Sequence, residues 1–137
     1  ETGSVEFDRY ISVEDCGVQI NPQIVEGQVH GGVAQGIGQA LYEGVNYDEN
    51  GNLINESMQD YAIPRASDIP KMESESTCTP APHHPMGVKG MGETPTIGST
   101  PAVVSAVCDA IGVDHLDMPL TEEKIWRTLH EDTGGDA

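Results

Sequence analysis

The spacing of apolar residues changes character several times along the chain, and each change predicts an element. Residues 5–15, Val-Glu-Phe-Asp-Arg-Tyr-Ile-Ser-Val-Glu-Asp, alternate loosely, are rich in β-formers and predict a strand. At Asn21-Pro22 the period lengthens. Asn21 is a good N-cap, Pro22 suits the first helical position, and a helix follows to about Glu43 with Gly44 as its stop. Asp48-Glu49-Asn50-Gly51 predicts a hairpin turn between Val45–Tyr47 and a strand starting near Leu53. From Ser67 to Pro85, Pro, Ser and Thr dominate and irregular connections are expected. A glycine-rich loop spans Gly87–Gly98, Thr100-Pro101 opens a second helix to about Ile111, and Thr121 caps a last one. The tail Asp132–Ala137 is polar and expected to fray. No internal repeat is visible. The expected class is α+β, with mixed strands, one long glycine-rich helix and two shorter helices.

A helical wheel sharpens the long helix. With 100° per residue, Val25, Val29, Val33, Ile37, Ala40 and Leu41 fall within about 160° of arc, a normal core-facing stripe. The other face carries Gly27, Gly31, Gly32 and Gly38 with Gln28, Gln35, Gln39 and Tyr42. Each interior glycine costs about 1 kcal/mol relative to alanine, so this is an expensive way to build a face that meets only solvent. One reading is close packing of another backbone against the glycines. The other is a large polar ligand on this face, because side-chain amides offer both a donor and an acceptor without charge. Both can hold together.

Composition limits the partners. The 137 residues suit one ordinary domain or part of a larger one, and a hydrophobic fraction of 36% with one Trp and one Phe implies a thin independent core. Six basic residues against 23 acidic ones give a net charge of −17, so nucleic acid and anionic membrane surfaces are poor partners. The acids are scattered rather than bunched, as on a solvated surface, and such an excess suits a salty cytoplasm that screens self-repulsion. Cys16, Cys78 and Cys108 form no Cys-x-x-Cys pair, which argues against zinc, iron–sulfur or disulfide frameworks and for a reducing cytoplasm. No signal peptide or membrane span is found, and a first residue of Glu1 rather than Met suggests a truncated or processed N-terminus.

The segment His83-His84-Pro85-Met86-Gly87-Val88-Lys89-Gly90-Met91-Gly92-Glu93-Thr94-Pro95 carries one acid among glycines. It lacks the Gly-Lys-Ser/Thr order of a phosphate-cradling loop, and reads instead as backbone that must approach something bulky. Glu93 is the only acid between Glu75 and Asp109. Desolvation of an isolated carboxylate favours proton uptake, which suits a general base, while Lys89 pulls the other way if it is close. The bland alternative makes Glu93 a loop acid that caps an amide or pairs with Lys89, and the residues by themselves favour it. His83 and His84 suggest a metal only weakly, because neighbours in extended chain point apart. His30 reads as a structural histidine, and Cys16 and Cys108 as buried small hydrophobes.

Taken in order, Ile20-Asn21-Pro22, the run Val25–Glu43, Asp60-Tyr61-Ala62-Ile63-Pro64-Arg65-Ala66, Lys89-Gly90-Met91-Gly92-Glu93 and Asp117-Met118-Pro119-Leu120-Thr121 resemble the large, molybdopterin-binding subunit of the xanthine oxidase family of molybdenum hydroxylases. The His-Gly-Gly-x-Ala-Gln-Gly form followed by Ala-Leu-Tyr-Glu resembles most the aerobic carbon monoxide dehydrogenase large-subunit branch. The resemblance covers nearly the whole chain. It implies that residues 1–131 are the C-terminal segment of the second molybdopterin-binding domain, and that the polar tail is 132–137.

The resemblance also implies roles. Glu93 would be the catalytic base, taking a proton from a molybdenum-bound hydroxyl or water that attacks an electron-poor carbon. Gln28 would contact the molybdopterin, often a cytosine dinucleotide. Gln35, Gly31, Gly32, Lys89, Gly90 and Gly92 would lie close to it. No residue of this chain would ligate the metal, since the cofactor's dithiolene does so. Iron–sulfur clusters and FAD would sit on small and medium partner subunits, and the upstream part of the large subunit would complete the cleft. Carbon monoxide, an aldehyde and an N-heterocycle are all open as the small-molecule substrate. The chain departs from the pattern in being several times shorter, and Val107–His115 is short by a few residues. It is therefore expected to be inactive alone. The competing hypothesis is a non-catalytic remnant or a cofactor-carrying assembly module. Neighbouring genes for the missing cleft, flavin and iron–sulfur subunits would separate the two.

Overall fold

Asn21 and Pro22 start the longest helix where the sequence places it. The computed structural model describes residues 2–131, with only the main chain at Glu131; the expected fray at 132–137 lies outside them. Helix α1 runs Pro22–Leu41, and the Asn21 side chain accepts the Ile24 N–H at 3.3 Å while Pro22 occupies the first turn. The helix ends two residues before the expected Glu43, because the Tyr42 and Glu43 amides both turn back to the Gly38 carbonyl. Its apolar stripe is the core: Val29, Val33, Ile37, Ala40 and Leu41 are buried and Val25 packs at the edge. Burying one such aliphatic side chain is worth roughly 1.5–3 kcal/mol, and Ile37 at 0% exposure contributes its full share.

The strands differ from expectation. Strand β1 covers only Tyr10–Asp15, not residues 5–15. It pairs in parallel with β2, Met72–Thr77, which lies inside the stretch expected to be irregular. Met-Glu-Ser-Glu-Ser-Thr has little strand propensity of its own. What holds it is the ladder to β1 and Met72 packed against the core. The hairpin is a tight turn with a single bridge, Tyr47 to Leu53, rather than two strands; the Asp48 carboxylate accepts the Asn50 and Asn52 amides at 2.8 Å.

Helix α2, Thr94–Ile111, begins six residues before the expected Thr100 and carries Pro101 inside it. Pro95 fills the first-turn role instead, and residues 94–98, expected as loop, are helical. The helix closes on Gly112, left-handed at φ 74°. Helix α3, Glu122–Glu131, starts as expected, with the Thr121 hydroxyl accepting the Lys124 amide at 3.3 Å. Just before it, Leu120 enters the core at 1% exposure and its amide donates to the Ala40 carbonyl at 2.7 Å. The result is the expected α+β class. Cys16 and Cys108 are buried as expected, whereas Cys78 and His30 stand exposed.

Candidate cofactor-binding and catalytic site

The glycines of α1 divide by what they meet. A Cβ on Gly32 would lie 2.8 Å from Pro95 Cβ and 3.1 Å from Thr96 N, and one on Gly36 would lie 2.5 Å from Ser99 Cβ. These two let α2 press against α1 backbone to backbone. Polar bonds stitch the contact: the Thr96 hydroxyl donates to the Gly32 carbonyl at 3.1 Å and the buried Ser99 hydroxyl to that of Val33 at 3.0 Å. By contrast, a Cβ on Gly27 or Gly31 would meet nothing within 4 Å. So the packing reading holds for Gly32 and Gly36. Gly27 and Gly31 present open backbone.

The glutamines border that contact. Gln35 Oε1 accepts weakly from the Thr96 hydroxyl at 3.5 Å, and Gln39 Oε1 accepts from that of Thr100 at 3.2 Å. Gln28 reaches the loop instead, where a Cβ on Gly92 would stand 4.0 Å from its Oε1. Gln28 and Gln35 are exposed, and each side-chain amide offers NH2 donors as well as its oxygen.

The loop itself is fixed at its base and open at its tip. Gly17 and Val88 form a bridge; the Lys89 amide donates to the Cys16 carbonyl at 2.8 Å and that of Val18 to Gly87 at 3.1 Å. A side chain at Gly17, φ +66°, would run into the Gly87 carbonyl, so this crossing requires glycine. Met91 is buried in the core, whereas a Cβ on Gly90 would meet nothing within 4 Å. Glu93 follows at the N-terminal boundary of α2, its carbonyl accepting the Ile97 amide at 3.1 Å and its side chain exposed. The desolvation expected around this carboxylate is therefore not supplied by the described residues. Nor does it pair with Lys89, whose ammonium is held by Asp15 at 3.0 Å.

Asp15 is the residue that the sequence did not single out. Ending β1, its carboxylate gathers the Gly17 amide at 2.9 Å, the Thr79 amide at 3.1 Å, the Thr77 hydroxyl at 3.4 Å and the Lys89 ammonium at 3.0 Å. Hydrogen bonds from the Thr79 side chain first, then the Gly17 and Thr79 amides, then Lys89, hold this carboxyl well below the usual carboxylate range. An Asp two residues before a glycine was the legible half of this cluster. His84 is used locally, its Nδ1 accepting the Met86 amide at 3.2 Å. Among the described residues no group of three or more His, Cys, Asp or Glu could hold a metal ion, and no helix is long and apolar enough to cross a membrane.

Open glycine backbone, the exposed Gln28 and Gln35 side chains and the exposed Glu93 carboxylate thus lie around the junction of α1, α2 and the glycine loop. Residues 1–70 match the molybdopterin cofactor-binding domain family. The chain belongs to that family and matches a segment of the large subunits of xanthine oxidase-type molybdenum hydroxylases. It is 44% identical over 133 residues to the carbon monoxide dehydrogenase large chain of Hydrogenophaga pseudoflava, covering 95% of this chain and 17% of that one. The nicotine 6-hydroxylase large subunit of Paenarthrobacter nicotinovorans is 46% identical over 92% of this chain and 16% of its own length. Among solved structures, reconstituted CO dehydrogenase from Oligotropha carboxidovorans superposes with a TM-score of 0.89 at 39% identity, covering 97% of this chain and 17% of that one. The chain spans about a sixth of the length of the relatives it matches.

Proposed function

We propose that this chain forms the base-bearing wall of a molybdenum hydroxylase active site, with Glu93 as the general base. The observation that carries the reading is the placement of Gln28 beside Gly92, one residue before Glu93, on a surface of glycine backbone that a Cβ would fill but this chain does not. A planar, hydrogen-bonding group fits such a wall. Gln28 and Gln35 would bond it through their free amide groups, and Gly31, Gly90 and Gly92 would admit it close to the backbone. Gly32 and Lys89 act one step back, Gly32 by seating α2 and Lys89 by holding the loop. When bound, the molybdopterin, here in its cytosine dinucleotide form, supplies two-electron redox chemistry at molybdenum.

Glu93 accepts, at a carboxylate oxygen, the proton lost by the water-derived oxygen that attacks the substrate carbon. Its exposure on this chain suits a base whose dry surroundings come from the facing wall, the upstream part of the same subunit. Alone, the segment of residues 1–131 is inactive. The electrons leave through iron–sulfur clusters and FAD on small and medium subunits, a reading supported by relatives named as large chains and large subunits. Its free cysteines, one of them exposed, suit assembly in a reducing cytoplasm. This chain is as similar to a carbon monoxide enzyme (44%) as to a nicotine hydroxylase (46%). Substrate choice among carbon monoxide, aldehydes and N-heterocycles therefore falls to residues outside it.

The test is Glu93→Gln in the assembled enzyme. Loss of a positioned base is expected to lower kcat by about 10²–10⁴-fold with molybdenum content unchanged. Turnover within a few-fold of wild type would refute the role.

A further inference from the structure

The loop that delivers Glu93 has glycines at 87, 90 and 92, so its own backbone does little to fix where the carboxylate stands. Its position must come from side-chain anchors, of which Met91, buried in the core, lies within the loop and the others lie on both sides. Downstream, Glu93 opens α2, which is stitched to α1 by Thr96 and Ser99. Upstream, the last side chain to form a charged contact before the open tip is Lys89, and its partner is Asp15 at 3.0 Å. Asp15 simultaneously takes the Gly17 amide and the Thr79 amide, and so ties the end of β1, the strand exit after β2 and the loop into one node. The Asp15 and Lys89 side chains are 25% and 34% exposed.

We infer that Asp15 and Lys89 are a positioning pair for the catalytic loop, holding the Lys89–Glu93 segment in place while keeping the loop's one cation engaged away from the Glu93 carboxylate. The inference rests on Glu93 being the base. Neither residue touches the reacting atoms. Lys89 is then a strut and not a cofactor ligand, which separates this reading from one in which its ammonium binds the cofactor directly.

The experiment uses Lys89→Met, Lys89→Arg, Asp15→Asn and the double variant Asp15→Asn with Lys89→Met. Lys89→Met leaves every amide bond to Asp15 intact and so keeps the fold. In the assembled enzyme, Lys89→Met and Asp15→Asn are each expected to lower kcat by about ten- to a hundredfold, as displacements near 1 Å do, with KM and molybdenum content unchanged. The double variant should be no worse than the weaker single one, and Lys89→Arg should restore most of the rate. In the 137-residue chain itself, with no cofactor present, amide hydrogen exchange at 88–92 should quicken in Lys89→Met while exchange in α1 stays the same. Loss of molybdenum from Lys89→Met alone would make Lys89 a cofactor ligand and overturn the proposal. Unchanged loop exchange together with unchanged kcat would overturn it as well. If Glu93→Gln stayed active while loop exchange still responded to Lys89→Met, the base assignment would fail and the anchor would stand.

Discussion

The two kinds of glycine on α1 should answer the same substitution with opposite signs. An alanine methyl at Gly36 would sit 2.5 Å from Ser99 Cβ, 2.7 Å from Ser99 Oγ and 3.0 Å from Thr100 N. Ordinary carbon contacts are about 3.5–4 Å, so α1 and α2 must separate by about 1 Å or Ser99 must turn. Ser99 is 1% exposed and its hydroxyl bonds the Val33 carbonyl at 3.0 Å, so turning loses that bond. Overpacking costs about 1–3 kcal/mol and the lost bond about 1, against about 1 gained by removing a helical glycine. The net is a loss of about 1–3 kcal/mol, or roughly 4–12 °C in Tm for a domain of this size. Gly31→Ala meets no atom within 4 Å and should gain up to about 1 kcal/mol from helix propensity alone. Both variants change the unfolded chain alike, so comparing them by circular-dichroism melts cancels that contribution. If Gly36→Ala melted at or above Gly31→Ala, the helices would not be packed through these glycines and the division of α1 into a packed and an open face would be wrong.

Other consequences can be measured on the same chain. Ile37→Ala empties a site at 0% exposure and should cost about 2–5 kcal/mol in urea unfolding, a large share of the stability of so thin a core; a cost below 1 would mean Ile37 is not central. Acid should weaken the Asp15 node with a definite sign. Its folded pKa lies below the unfolded value of about 3.9, so the unfolded chain takes up the proton first and the stabilisation present at neutral pH is lost as the pH falls through the folded value. Wild type should therefore exceed Asp15→Asn in urea midpoint at pH 6, and the gap should narrow toward pH 3; a gap that widens would reverse the assignment.

What could be read from the sequence was what local rules decide. Asn21 and Pro22 fix the start of α1, and the 3.6-residue period picks out Val29, Val33 and Ile37 as its core face. Helix α2 is the instructive miss. Pro95 and Pro101 are both acceptable first-turn prolines, and the choice between them is made by Gly32 and Gly36, on another helix more than 60 residues earlier. Strand β2 was hidden for the same reason, since serines and glutamates acquire strand geometry only from β1. The wheel placed Gln28 and Gly31 off the apolar stripe, where they stand exposed, whereas the isolation of Glu93 among glycines favoured a loop acid and its reading as a base came from the resemblance. The Asp15 node was not, because its bonds to Thr79 and Lys89 join residues 64 and 74 positions apart. The drying of Glu93 could not be found in this chain, where it stands exposed.

The α1–α2 contact also sets an order of events during synthesis. Its hydrogen bonds close loops of 61 to 66 residues, and the Lys89 anchor closes one of 74. The entropy of closing such loops must be met before these contacts return anything, so they form late. Helix α1 precedes α2 in the chain, and its Gly32 and Gly36 lack their neighbours until residues 95–100 have been made. The surface proposed to hold a cofactor is therefore assembled from distant parts of the chain, and it is complete only once α2 has docked on α1.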